Sequence, residues 1–142
     1  MTAQLETELI RICRDYGILG LYLFGSRGKE IAARVRGEHV SGNESDSDLD
    51  VGVHPDPETH LSAIDKVQLA QALEDLFEVP RVDLVVLPEA DPFLAANVIR
   101  GERVYAKDDY QADEYDLYIL RRAGDLAPLE RERIELILGE TL

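Results

Sequence analysis

The feature that most constrains the fold of this chain is a pair of short apolar runs that carry carboxylates. The run from Asp48 to His54 alternates acidic and aliphatic residues at its start, and the run from Val82 to Leu87 carries Asp83 among aliphatic neighbours. Apolar runs of this length, bounded by turn residues, predict strands rather than helices. An ionised carboxylate inside an apolar strand costs free energy unless it has a partner, so we expect these aspartates to serve a site.

The two aspartates of the first run are separated by one residue. Side chains on a strand alternate between its faces, so Asp48 and Asp50 emerge on one face and Leu49 and Val51 on the other. If the two carboxylate-bearing strands pair, Asp83 can point toward the same face. Clustered carboxylates repel one another unless a cation neutralises them or one takes up a proton; a divalent cation is the simpler solution, and hard oxygen ligands favour Mg²⁺, with Mn²⁺ as an alternative. Two such ions can clamp the entering and leaving oxygens of a displacement at phosphorus, while the third carboxylate orients or deprotonates the attacking hydroxyl.

Another apolar run, from Gly20 to Phe24, opens directly onto Gly25 and Ser26. Glycine lets a phosphate approach the backbone, N–H groups at a helix start attract an anion, and a serine hydroxyl adds a donor. We also expect Ser26 to cap the helix that follows. A Gly-Ser pair alone occurs in ordinary turns, where the serine is only a cap and nearby aspartates are surface residues. Its combination with carboxylates on two further strands predicts a triphosphate site.

The remaining segments are predicted to be helical, apart from a short fourth strand at 103–106 and a polar loop at 36–47, in which Glu44 and Asp46 add to the negative charge beside the aspartate pair. Apolar residues recur at helical spacing, and the pair Asp91-Pro92 is a strong helix start. We expect one α/β (α+β) domain, a short mixed sheet flanked by helices, with a main unit at 1–107 and a helical C-terminal extension at 108–142 packed on it. The expected helices lie at about 3–16, 27–35, 61–77, 91–101, 112–123 and, after a break at Pro128, up to 138.

Composition limits the environment and the partners. The chain has 142 residues, and its 29 acidic and 15 basic residues give a formal net charge of −14, which repels a phosphate backbone. Nucleic acid is therefore not expected as the main partner. The apolar runs are far shorter than the roughly 20 residues that cross a bilayer, and the N-terminal segment is not basic, so we expect no membrane and a cytoplasmic location. Cys13 is predicted to be a buried free thiol on the first helix.

Three motifs taken together, "LFGSRG", "SDSDLDVGV" and "VDLVVL", resemble the DNA polymerase beta-like nucleotidyltransferase superfamily. The likeness runs from about Leu5 to Lys107, and in size and order of elements the chain is similar to the minimal nucleotidyltransferases, called MNT proteins. The resemblance implies the polymerase beta-like fold and an NTP substrate. It also implies roles for individual residues: Gly25 and Ser26 bind the triphosphate, Asp48 and Asp50 ligate two metal ions, and Asp83 completes the site.

The segment between the Gly-Ser turn and the acidic pair is longer than in compact members of the superfamily. It contains 21 residues, from 27 to 47, and it concentrates basic side chains in an otherwise acidic chain. We expect Arg27 to contact the nucleotide phosphates. The other basic residues contribute there, meet an acidic partner, or form a solvated helix face with Glu30 and Glu38 as countercharges; they are Lys29, Arg34, Arg36 and His39.

The resemblance implies a metal-dependent transfer of AMP from ATP with loss of pyrophosphate. Small MNT proteins are typically paired with HEPN-domain ribonuclease toxins, so the implied role is an antitoxin that adds AMP to a tyrosine of the toxin. Two alternatives remain. The chain could modify a small molecule such as an aminoglycoside, although it is short for the extra substrate-binding domain, or it could be a non-catalytic antitoxin that binds and blocks its toxin. The sequence leaves a homo-oligomer and the identity of the nucleotide base open.

Aromatic residues cluster near the C-terminus. Tyrosine and arginine are enriched at interfaces, yet these side chains could equally pack the last helices onto the sheet. The cluster contains Tyr105, Tyr110, Tyr115 and Tyr118, followed by Arg121 and Arg122.

Overall fold

A computed structural model of the chain describes residues 2–38 and 48–139. These residues form a four-stranded sheet with helices on both faces, which confirms the predicted α/β architecture with a C-terminal helix. The expected loop residues Glu44 and Asp46, and His39 of the basic segment, lie outside the described residues. In chain order the elements are α1 (Thr2–Asp15), β1 (Ile18–Phe24), α2 (Gly28–Val35), β2 (Leu49–Pro55), α3 (Ala63–Phe77), β3 (Val82–Val86), a 3₁₀ turn (Leu87–Glu89), α4 (Pro92–Ile99), β4 (Glu102–Ala106) and α5 (Asp109–Gly139).

The strand order of the sheet is β3-β2-β1-β4. Strand β1 is antiparallel to both of its neighbours, β2 and β4, whereas β2 and β3 are parallel. A parallel pair needs a crossover connection, which α3 supplies between them. This topology brings the C-terminal end of β1 and the N-terminal ends of β2 and β3 to the same edge of the sheet, which we call the acidic edge because Asp50 and Asp83 lie there.

Two hydrophobic layers hold the helices on the sheet. One face carries fully buried aliphatic residues such as Leu23 and Val51 and is covered by α1, α2 and α3. The other face carries Tyr22 and is covered by α4 and α5. Cys13 lies in the first layer, as predicted, and burial raises the pKa of its thiol to about 12. Within the described residues, no helix is both long enough and apolar enough to cross a membrane.

The start of α4 confirms the Asp91-Pro92 signal. The Asp91 carboxylate accepts hydrogen bonds from the backbone N–H groups of Phe93 and Leu94, at 2.9 and 3.1 Å, and proline occupies the first turn. Helix α4 lies close to β2. The distance shows this, since a Cβ atom added to Gly52 would be only 2.2 Å from Val98 Cγ1. Glycine at this strand position therefore sets how closely α4 approaches the face that bears the carboxylates.

The predicted cap of α2 is wrong. Ser26 does not cap this helix; its N-cap is Arg27, with no side-chain cap bond, and the helix begins at Gly28. The Gly28 N–H donates to the Gly25 carbonyl at 3.3 Å, and a Cβ on Gly28 would lie 3.1 Å from the Leu23 carbonyl. The turn therefore extends one residue further than predicted, through Arg27. The helix starts at Gly28, the glycine that fits against β1.

The predicted break at Pro128 is also wrong, because α5 continues through it from Asp109 to Gly139. An internal proline removes one backbone hydrogen bond and crowds the carbonyl of the residue four positions earlier. That residue is Gly124, and nothing lies within 4 Å of the position its Cβ would take. No neighbouring element of the described chain therefore crowds the helix at the residue whose carbonyl the proline ring approaches.

Candidate active site

Register pairs two of the three predicted carboxylates, and the third lies two residues away along the chain. Asp50 on β2 is the Cα partner of Phe24 on β1 and of Asp83 on β3, so the side chains of Asp50 and Asp83 project from the same face of the sheet. Asp48 precedes the strand by one residue and lies two residues before Asp50. The pairing of β2 with β3, on which the sequence prediction for Asp83 depended, is present.

Electrostatics and burial are consistent with this grouping. Burial raises the pKa of Asp50 above its ordinary value, and the charges of Asp83 and then Asp48 raise it further. The intervening residues, Leu49 and Val51, are fully buried on the opposite face. The alternation thus separates a hydrophobic face from a face with partly exposed carboxylates, as the sequence indicated.

The turn after β1 lies directly against this cluster. Gly25 has a φ of +75°, and a Cβ atom there would be only 2.2 Å from Asp50 Oδ2. Both the positive φ and the close approach require glycine at this position. Ser26 follows in the same turn and is exposed. The backbone of the Gly-Ser turn and the carboxylate of Asp50 therefore share one end of the sheet.

The basic residues after the turn are held by acidic ones. The Arg27 side chain is buried, with its Nε 3.3 Å from Glu30 Oε2, and Arg34 pairs with the same carboxylate at 3.4 Å. Arg36 pairs with Glu102 at 3.0 Å. Acidic side chains thus pair with three of the basic residues in this segment. The expected countercharge Glu30 is one of them, and Glu102 takes the place that was expected for Glu38. The phosphate contact expected of Arg27 stays a prediction.

Sequence reasoning overlooked Arg81. Its Nε lies 3.3 Å from Asp83 Oδ1, so one carboxylate of the cluster is paired with a cation from its own strand region. The signal was present, since Arg81 precedes Asp83 by two residues and alternation places both on one face. The arginine side chain is largely exposed, so this ion pair contributes little to stability and can be replaced at small cost.

A divalent cation fits the chemistry of the carboxylates, although they are not closed around one. The oxygen donors are of the type that Mg²⁺ prefers, and their mutual repulsion, which adds to burial in raising the pKa of Asp50, would be relieved by a cation. Among residues 2–38 and 48–139, no three acidic, histidine or cysteine side chains already stand close enough to hold an ion. The Arg81–Asp83 pair is one contact that a cation at this site would have to replace.

The C-terminal tyrosines divide between core and surface. Tyr105 is buried, and Tyr115 stacks on His54 with ring centroids 3.5 Å apart and planes 4° from parallel. Tyr110 and Tyr118 are exposed. The core interpretation therefore holds for the first pair, and an interface role stays a prediction for the second.

The arrangement of a mixed sheet, a Gly-Ser turn after its first strand and carboxylates on the two following strands is that of a nucleotidyltransferase. Residues 7–110 match the family model described as polymerase beta, nucleotidyltransferase. The match covers well over half of the chain, so this protein belongs to the polymerase beta nucleotidyltransferase family, as the three motifs predicted. No curated protein matches the chain in sequence.

Solved structures with a similar fold come from toxin–antitoxin complexes. A chain of a toxin–antitoxin complex with AMP-PNP superimposes with a TM-score of 0.68 at 22% identity, covering 94% of this chain and 98% of that chain. A chain of the MntA-HepT complex gives 0.66 at 20%, covering 96% and 98%. A chain of a complex between tri-AMPylated Shewanella oneidensis HEPN toxin and MNT antitoxin gives 0.67 at 21%, covering 97% and 99%. At these identities the likeness establishes a shared fold over nearly the whole chain.

Proposed function

We propose that this protein is a metal-dependent adenylyltransferase that transfers AMP from ATP to a tyrosine of a HEPN-domain toxin and thereby acts as its antitoxin. The observation that carries the proposal is the meeting of Asp50 and Asp83 at one edge of the sheet, with Gly25 packed against Asp50. Similar folds in complexes described with AMP-PNP and with an AMPylated HEPN toxin support the choice of nucleotide and acceptor.

Each residue of the site has a definite task in this reaction. Asp48 and Asp50 would hold the divalent cations, with Asp83 completing their coordination. Mg²⁺ held by these carboxylates would neutralise charge on the phosphate oxygens and on the entering and leaving oxygens. The backbone of Gly25 and the hydroxyl of Ser26 would bind the triphosphate where the turn is open to solvent.

The transfer itself is a displacement at the α-phosphorus. The acceptor oxygen forms a bond to this phosphorus, the bond to the β-phosphate oxygen breaks, and pyrophosphate leaves. Asp83 is placed to orient the acceptor hydroxyl or take its proton, provided that its carboxylate releases Arg81. If Arg27 contacts the phosphates, as the sequence suggests, its side chain must likewise exchange Glu30 for the nucleotide.

The charge of the chain supports a protein acceptor. A net charge of −14 would attract a basic ribonuclease and orient its approach. A toxin that is merely blocked by binding would depend on the same attraction, so charge alone does not separate catalysis from blocking. The separating property is the carboxylate cluster, which a blocking protein would not need.

The test is a labelling reaction with the purified chain, Mg²⁺, α-labelled ATP and the protein encoded by the neighbouring gene. Label should appear on a tyrosine of the neighbour, and γ-labelled ATP should leave none. The Asp48→Asn/Asp50→Asn variant should lose both the labelling and the neutralisation of the toxin. Asp75→Asn, which changes an exposed aspartate of α3, is the control and should keep both.

Two outcomes would overturn the proposal. If the Asp48→Asn/Asp50→Asn variant neutralises the toxin as well as the unchanged chain does, the protein acts by blocking. If label appears on an added aminoglycoside and not on the protein, the acceptor is a small molecule.

A further inference from the structure

The distal half of α5 extends beyond the packed body of the protein with apolar side chains exposed. Ile119 and Ala123 are buried against the sheet and α4, and Leu126 is half-buried, but the large apolar residues from Leu129 onward are exposed. Leu129 is 62% exposed and Ile137 is 54% exposed. An amphipathic helix normally buries its apolar face, so this one indicates an interaction surface.

The exposed face continues the face that packs on the sheet. After Ile119 and Ala123, the same side of the helix presents Leu126, Glu130, Arg133 and Ile137, at alternating steps of three and four residues. This is the spacing of a coiled-coil seam. We call these four residues, from Leu126 to Ile137, the distal stripe. Its ends are apolar and its middle holds one acid and one base.

The distal half of α5 lacks the net negative charge that would make two copies of the chain repel each other. Residues 117–139 contain four arginines and four carboxylates, so they are formally neutral, whereas the whole chain carries −14. The first part of α5 is acidic, with four carboxylates and no basic residue in 109–116. Strong net charge opposes self-association elsewhere on the surface, but not at the distal stripe.

When two copies of the distal stripe run in opposite directions, apolar residues face apolar residues and acidic residues face basic ones. We propose that a second copy of this chain covers the stripe, by antiparallel pairing of the two α5 helices about a point between residues 131 and 132. In this register Leu126 faces Ile137 of the other copy, and Glu130 faces its Arg133. Leu129 and Ile134 flank the seam at matching levels.

A parallel pairing of the same helices is disfavoured. It would place Glu130 against Glu130 and Arg133 against Arg133, and like charges at seam positions oppose association. Within one helix, Arg133 already bonds to Glu130 one turn earlier. The antiparallel register keeps this bond within reach and gives each of the two residues a second, oppositely charged neighbour. The charged residues in the middle of the distal stripe therefore favour a second copy of the chain as the partner, and they favour antiparallel over parallel pairing of the two α5 helices.

The test measures the mass of the full chain in solution by sedimentation equilibrium over a range of concentrations. The unchanged chain should form dimers. Glu130→Arg and Arg133→Glu should each weaken dimerisation by about tenfold or more, because attraction becomes repulsion at two symmetric places. An equimolar mixture of the two variants should restore dimers, since one chain then offers two arginines and the other two glutamates. Glu130→Arg/Arg133→Glu in one chain should also restore them.

The mixing experiment separates contacts between chains from contacts within one helix. Neither single variant can form the bond between positions 130 and 133 of its own helix, so restoration by mixing must arise between molecules. Glu8→Arg is the matched control, because Glu8 forms a similar pair with Arg11 at 2.6 Å on α1 and its loss should leave the dimer intact. Circular dichroism should show folded protein for every variant.

Either of two results would overturn the proposal. One is a monomeric unchanged chain at every concentration up to the millimolar range. The other is a mixture of the Glu130→Arg and Arg133→Glu variants that stays as weakly associated as each alone. Binding of this face only to the neighbouring toxin would give the first result.

Discussion

Replacing Gly25 with alanine tests whether the turn and the carboxylate cluster form one site. Gly25 has a φ of +75°, and the added Cβ would lie 2.2 Å from Asp50 Oδ2 and 3.2 Å from its Cγ. A left-handed alanine costs roughly 1–2 kcal/mol. The clash involves the end of a side chain, so Asp50 can rotate away at a further cost of about 1 kcal/mol. We therefore expect Gly25→Ala to destabilise the fold by about 2 kcal/mol and to displace the carboxylate.

The chain contains a matched control at the opposite edge of the sheet. Gly17 has a φ of +66°, and a Cβ there would lie 2.4 Å from Thr59 Oγ1, also at the end of a side chain. Gly17→Ala should therefore lose a similar free energy of unfolding without touching the carboxylates. Urea denaturation measures this loss for both variants, and calorimetric titration with Mg²⁺ and AMP-PNP measures nucleotide binding.

The expected result is that the two variants are similarly destabilised but differ in binding. Gly25→Ala should weaken nucleotide binding by at least about tenfold, whereas Gly17→Ala should bind like the unchanged chain. If Gly25→Ala binds nucleotide normally, or if both variants lose binding together, the turn does not position Asp50 for the nucleotide.

Three further substitutions test the packing and electrostatics of the sheet face that carries Asp50, where Asp116 of α5 accepts a hydrogen bond from Tyr22 and pairs with Arg103 of β4. Asp50→Asn should stabilise the metal-free chain near neutral pH, because burial and the charges of Asp83 and Asp48 raise the pKa of Asp50 and its ionised form therefore opposes folding. The stability that Asp50 contributes is greatest at acid pH and is lost as pH rises through the raised pKa, so urea denaturation should show the gain from Asp50→Asn shrink as pH falls, and a gain independent of pH would contradict this reasoning. Gly52→Ala should cost about 1–3 kcal/mol by clashing with Val98, and adding Val98→Ala should cost less than the sum of the two single changes; additive losses would contradict this contact. Arg103→Met should cost about 1–3 kcal/mol in thermal or urea denaturation, because Asp116 loses a cation 2.9 Å away, and an unchanged stability would show that this pair is dispensable.

The strands and the carboxylate face could be predicted because their signal is local. A run of five to seven residues with a two-residue period fixes which side chains share a face, and Asp48 and Asp50 needed nothing more. The cap at Asp91 is equally local, since the side chain bonds to backbone only two and three residues away. The strand alternation and the helix cap appear in the structure as predicted because no contact with a distant residue competes with them.

The features that were missed depend on contacts between distant residues or on side-chain conformation. The start of α2 is set by the fit of Gly28 against the Leu23 carbonyl on β1, which no capping rule reveals. The burial of Arg27 depends on how α2 lies on the sheet. Alternation placed Arg81 near Asp83, but only a particular rotamer makes the ion pair.

The most direct test of the central claim is the location of a bound metal–nucleotide complex on the sheet. Mn²⁺ with AMP-PNP broadens the NMR signals of nearby backbone amides, and Mg²⁺ with AMP-PNP provides the non-broadening reference. The signals of Gly25, Ser26 and Asp50 should broaden first, while that of Gly17, about 25 Å away by strand rise along β1, should stay sharp. Broadening centred on Gly17, or spread evenly over the protein, would contradict a metal–nucleotide site at the acidic edge.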